Sequence, residues 1–187
     1  MRIGFDNDKY QKIQSEHIKE RISQFDGKLY LELGGKLFDD HHASRVLPGF
    51  LPDSKLRMFQ KISDSIEIVI VISATDIEKN KTRADLGITY DEDVIRLRSE
   101  FQNRGFMVGS VVITHYNGQP AAAAFRQRLE RDGIKTYCHY LIDGYPHDVK
   151  LIAYDDGFGK NDFVETTRPL VIVTAPGPGS GKMAVCL

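Results

Sequence analysis

The stretch Leu170-Val171-Ile172-Val173-Thr174-Ala175, running into Pro176-Gly177-Pro178-Gly179-Ser180-Gly181-Lys182, carries the reading of this chain. Its first half is apolar and β-branched almost throughout, the pattern of a strand covered on both faces. In its second half, Gly177, Gly179 and Gly181 let backbone N–H groups approach an anion with no Cβ in the way, and Ser180 lies between them. Lys182 is placed to neutralise a terminal phosphate. Ala184, Val185 and Leu187 suit the first turn of a helix whose dipole points at the same anion.

Measured against the nucleotide-binding pattern G-x-x-x-x-G-K-[ST], the copy departs at both ends. Pro176 stands in place of the first glycine, and Met183 in place of the hydroxyl residue that binds magnesium. The dinucleotide pattern G-x-G-x-x-G fails because Lys182 occupies the third glycine position. Two readings stay open: a contact for the phosphate of a nucleotide or other phosphorylated small molecule, with magnesium disfavoured by Met183, or a Gly/Pro turn that joins a strand to a helix.

Upstream, strands are expected near Leu29, Ile66, Phe106 and Ile134, with Leu170 opening the last. Helices are expected from Asn7 to Phe25, after Pro52-Asp53-Ser54, behind a Thr89/Glu92 capping box, and from Pro120 to Asp132-Gly133. Lys36 to Arg45 reads as a polar loop, and Val149 to Tyr154 as a short strand. Alternating strands and helices predict a Rossmann-like three-layer α/β/α fold with a mostly parallel sheet, ending in a phosphate-loop-like strand-turn-helix. Residues 1–168 form the Rossmann-like domain in this reading. Residues 169–187 are the strand and glycine-rich turn that open an α/β region cut short at Leu187, which predicts a marginal isolated chain.

At 187 residues one core of this kind can form. A net charge of −1, with acidic and basic residues interspersed, leaves no electrostatic footprint for nucleic acid or an anionic membrane. No apolar run reaches membrane-spanning length and the N-terminus lacks a secretory h-region, so a cytoplasmic protein is expected, with a homo-oligomer left open. Cys138 and Cys186 have no close-spaced partners, which supports neither a disulfide framework nor a zinc knuckle.

In parallel sheets ligands bind beyond the carboxyl ends of the strands, so the segments following successive strands should share one rim. Among them, Asp76 and Glu78 are the expected acid/base carboxylates, and Arg45 and Lys79 the cations that balance substrate charge. Asn117 and Gly118, before Pro120, would offer backbone N–H groups to an anion at a helix N-terminus. Each has a plainer alternative, a solvated mixed-charge run or an ordinary capped turn. Asp39-Asp40-His41-His42 contains metal-ligand residue types but no ligand spacing, and no metal is assigned to it. No G-x-S-x-G elbow or Cys/His arrangement supports nucleophilic catalysis.

Several long blocks are more particular. Gly34-Gly35-Lys36-Leu37-Phe38-Asp39-Asp40, Ser44-Arg45-Val46-Leu47-Pro48-Gly49-Phe50, Tyr116-Asn117-Gly118-Gln119-Pro120 and Glu165-Thr166-Thr167-Arg168-Pro169 through Met183 resemble a bacterial family known as domain-of-unknown-function family 1846, or uncharacterised protein family 0371. The resemblance covers nearly the whole chain, as the N-terminal part of longer proteins. It implies no activity. Met183 fits the family pattern, which weakens an ordinary ATP or GTP hydrolase, and His41 departs from an aromatic preference. The expectations are therefore an enzyme acting on a nucleotide or phosphorylated metabolite, or a non-catalytic sensing or scaffold module with a structural glycine loop.

Overall fold

The computed structural model describes residues 4–25, 27–33, 37, 41–145, 147–155 and 157–186, with 41–43 described by backbone alone. Its strands are β1 (Leu29–Glu32), β2 (Ile66–Ser73), β3 (Met107–Tyr116), β4 (Thr136–Tyr140) and β5 (Leu170–Thr174). They form one sheet in the order β1-β5-β2-β3-β4, and every neighbouring pair is parallel. Leu170 is in register with Leu29 on one side and Ile66 on the other. The last strand in the chain is therefore an interior strand, and the boundary drawn at 168/169 falls within a single sheet. Both β2 and β5 are buried along their whole length, as their near-continuous apolar sequence requires.

Side-chain alternation divides β2 between two cores. Ile66, Ile68, Ile70 and Ile72 meet helices α1 (Asn7–Gln24), α3 (Ser54–Gln60), α4 (Ala74–Glu78), α5 (Tyr90–Asn103) and α6 (Pro120–Arg131). Val69 and Val71 face the other way with Val171, Val173 and Val185, the last from α8 (Lys182–Val185). The connections from β2 to β3 and from β3 to β4 advance in one direction, so right-handed crossovers place their helices on one face. The return from β4 to β5 reverses direction and crosses the opposite face, where Val164 packs. The result is a Rossmann-like three-layer arrangement, heavily clothed on one side and lightly on the other.

Local chemistry accounts for the boundaries. The capping box opens α5, with the Thr89 N–H donating to Glu92 Oε2 at 3.0 Å. Pro120 takes the first position of α6, where a missing N–H costs nothing. Two expectations are corrected. The loop expected over Lys36 to Arg45 includes the start of a helical segment, α2 (His41–Val46). The strand expected over Val149 to Tyr154 is a helical turn, α7 (Val149–Ala153), capped by Asp148, whose carboxylate accepts from the Leu151 N–H at 3.1 Å. The outer edge of β4 is not open to a strand there, because other residues pair with it. The Cys138 N–H donates to Asp162 Oδ2 at 2.7 Å, and the Tyr140 N–H to Asn161 Oδ1 at 2.8 Å.

Candidate functional site

The glycine loop follows β5 at the carboxyl edge of the sheet and is fastened across it. The Thr114 hydroxyl, near the end of β3, donates to the Ser180 carbonyl at 2.6 Å. Gly179 and Gly181 have φ of +76° and +82°, the left-handed region that favours glycine. Gly177 is required for a different reason: a Cβ there would lie 2.3 Å from the Tyr90 hydroxyl. Ser180 is buried, and its Oγ has no hydrogen-bond partner among the described residues.

Lys182 opens α8 and is buried, with Nζ 3.7 Å from Glu32 Oε1 at the end of β1. Its charge is thus balanced within the protein by a carboxylate on the strand beside β5. Met183 is 70% exposed. It forms part of the wall of a crevice of about 380 Å³ that runs from Gly181 to the ends of β3 and β4. Thr114, His115, His139, Tyr140 and Asn161 also line it. This is the crevice that the parallel-sheet rule places beyond the strand ends.

His115 is held in an unusual backbone conformation, φ +51°, and its carbonyl accepts from Gln119 Nε2 at 2.9 Å. A non-glycine residue there costs about 1–2 kcal/mol, a strain that recurs at functional sites. Its Nδ1 lies 3.1 Å from Ser73 Oγ and 3.5 Å from Thr114 Oγ1. The single Thr114 proton is directed to Ser180 at the shorter distance, and the Ser73 hydroxyl can either donate to Nδ1 or accept from it, so the ring is anchored through Nδ1 in either tautomer and Nε2 is the nitrogen left without a named partner.

His139 is the second imidazole. Its Nε2 lies 3.2 Å from the Asp162 carbonyl, which can only accept, so Nε2 carries the proton. Nδ1 is then a buried acceptor with no partner among the described residues. Burial holds the His139 pKa below the usual histidine value and keeps the ring neutral.

The sequence-predicted residues distribute unevenly. Asp76 pairs with Lys81 at 3.1 Å, and Lys81 Nζ stands 5.0 Å from the centre of the Tyr90 ring, whose hydroxyl abuts Gly177. Asp76 is therefore linked to the glycine loop through two side chains. Glu78 Oε1 accepts from the Ala122 N–H at 3.0 Å, so the protein's own carboxylate occupies an amide in the first turn of α6. The neighbouring Asn117 N–H is bound by Gln119 Oε1 at 2.7 Å, and Gly118 is an exposed turn residue with φ +73°. Lys79 caps the end of α4 and is exposed, as is Arg45 on α2. Arg83, from the same charged run, turns inward on Asp93 at 3.0 Å. Asp39 and Asp40, and the side chains of His41 and His42, lie outside the described residues. Glu32, Thr114 and His139 were not singled out from the sequence; the signal available was their position at or near the ends of strands.

The comparisons with known proteins agree with one another. The family model for domain of unknown function DUF1846, N-terminal, matches residues 3–187. A UPF0371 protein of Streptococcus pyogenes serotype M5 is 56% identical over 185 residues, covering 99% of this chain and 37% of that protein. One from Streptococcus sanguinis is 56% identical over 186 residues, covering 100% and 38%. A third, from Streptococcus thermophilus, is 56% identical over 184 residues, covering 98% and 37%. The chain thus spans little more than a third of the length of these curated relatives, and it belongs to the DUF1846 family, whose N-terminal domain it carries.

Proposed function

We propose that this domain binds a phosphorylated small molecule, a nucleotide in the favoured case, as part of a cytoplasmic enzyme whose phosphate site is the glycine loop. The observation that carries the reading is the fastening of the loop by Thr114, which makes Gly181 one wall of a crevice shared with two histidines. The orphaned Ser180 hydroxyl supports it, since buried polar groups rarely lack partners. In this proposal Gly179, Ser180, Gly181 and Lys182 hold the phosphate. His115 supplies the proton-accepting nitrogen, and Asp76 and Glu78 keep the surrounding elements in place. Magnesium has no hydroxyl ligand at Met183.

Calorimetric titration of the full natural chain with a panel of nucleotides and sugar phosphates tests this. Lys182→Ala should weaken binding by roughly 1.5–3 kcal/mol, the size of a lost charge-assisted hydrogen bond. Glu32→Gln should strengthen it, because Lys182 is then released from its internal counter-charge. Unchanged affinity in Lys182→Ala for every ligand that binds would leave the glycine loop as a structural turn.

A further inference from the structure

Resting on the phosphate reading above, we propose that the crevice beside Gly181 is the pocket for a nucleobase, recognised by His139 and Asn161 and stacked against Tyr145 and Phe158. His139 offers an acceptor: its Nε2–H is engaged by the Asp162 carbonyl at 3.2 Å, and its buried Nδ1 has no partner among the described residues. Asn161 offers a donor. Its Oδ1 accepts the Tyr140 N–H at 2.8 Å, which identifies the oxygen and leaves the amide N–H groups as the part able to address a ligand. Both residues line the crevice, so a residue with an unsatisfied acceptor nitrogen and a residue with amide donors border one space. That pair complements the edge of a base, which places a donor beside an acceptor.

The remaining wall suits a flat, weakly polar ring. Tyr140, Leu141, Ile142, Tyr145, Phe158 and Met183 line it, and Tyr145 and Met183 are 69% and 70% exposed. Aromatic faces stack on bases largely irrespective of identity, and a methionine thioether adapts to a ring edge. A sugar phosphate would use the glycine loop but leave these apolar faces and the His139 lone pair unsatisfied. Gly181 belongs to the same wall, so the base and the phosphate of one nucleotide would be read in a single crevice.

The test compares three probes on the full natural chain by calorimetry: adenosine 5′-monophosphate, ribose 5-phosphate and adenosine. The monophosphate should bind at least about ten-fold tighter than ribose 5-phosphate. Tyr145→Ala, an exposed position, and Asn161→Asp, which retains the oxygen that accepts from Tyr140, should each erase most of that advantage. His139→Phe should do the same; if it fails to fold, the other two variants carry the result. Equal affinity for the monophosphate and ribose 5-phosphate overturns the base pocket while leaving the phosphate site standing. Equal affinity for adenosine and the monophosphate, with ribose 5-phosphate silent, supports the base pocket and removes the phosphate site. Binding of none of the three overturns both.

Discussion

A threonine hydroxyl has one proton, and at Thr114 it goes to the Ser180 carbonyl at 2.6 Å, which ties down the glycine loop. Thr114→Val leaves the buried Ser180 carbonyl without this donor and should destabilise the fold by about 1–3 kcal/mol in a denaturant melt. An unchanged melt would show that the loop is held by other contacts. At His139 the pH dependence has a definite sign. Its folded pKa lies below the ordinary value of 6.5, so the unfolded chain takes up the proton first. Stability is complete above that value and is lost as pH falls from it towards the folded pKa. A histidine resonance at position 139 that titrates at or above 6.5 would refute this.

Among the elements, β2 contains a carboxylate that its sequence presents as an interruption. Glu67 is buried near the amino end of the strand, where its Oε2 accepts from the Thr167 N–H at 2.6 Å and the Arg168 N–H at 3.3 Å. The charge closes the segment that leads into β5. Gly109 on β3 makes room for it, since a Cβ there would lie 1.9 Å from Glu67 Oε1. Gly109→Ala should destabilise the domain by about 1–3 kcal/mol, the cost of overpacking, and the effect should shrink in a Glu67→Ala background because the clash is gone. Full additivity in thermal melts would refute the contact. The segment before α5 is held by a similar buried charge. Asp93 on α5 is fully buried and receives Arg83 at 3.0 Å and Arg96 at 2.6 Å. Asp93→Ala should cost about 1–3 kcal/mol in a thermal melt, since Arg83 loses one of its two carboxylate partners and keeps Asp85 at 2.8 Å. In α1, by contrast, the apolar residues misdirect the reader. Gln11 and Ser15 are buried with Ile18 and Ile22 half-buried behind them, while Ile13 and Phe25 are 38% and 56% exposed.

For the whole molecule, the insertion of β5 between β1 and β2 makes the sheet depend on its last strand. Among the described residues β1 has β5 as its only strand neighbour, and β2 would lose one of its two. A chain ending at residue 168 should therefore fail to form the cooperative fold, although it contains four of the five strands. Circular dichroism and amide exchange report this directly. A cooperative melt and protected amides in Leu29–Glu32 would show that β1 is held by something other than β5.

The strands, most of the helices and the parallel class were legible because each rests on local patterning: buried apolar runs, a capping box, a proline at a helix start. Such features are set by residues a few positions apart, and the same holds for the left-handed turns at Gly179 and Gly181. The candidate site was legible only in outline. The rim was foreseen, and folding brings two residues read as chemistry, Asp76 and Glu78, to Lys81 and an α6 amide. The contacts that hold the crevice residues join positions 66 apart at Thr114 and Ser180, and 23 apart at His139 and Asp162. No local pattern encodes such a meeting. It arises because a strand order of β1-β5-β2-β3-β4 carries the loop after the last strand across the ends of earlier ones, where a hydroxyl, a carbonyl and two imidazoles acquire partners that none has in the extended chain.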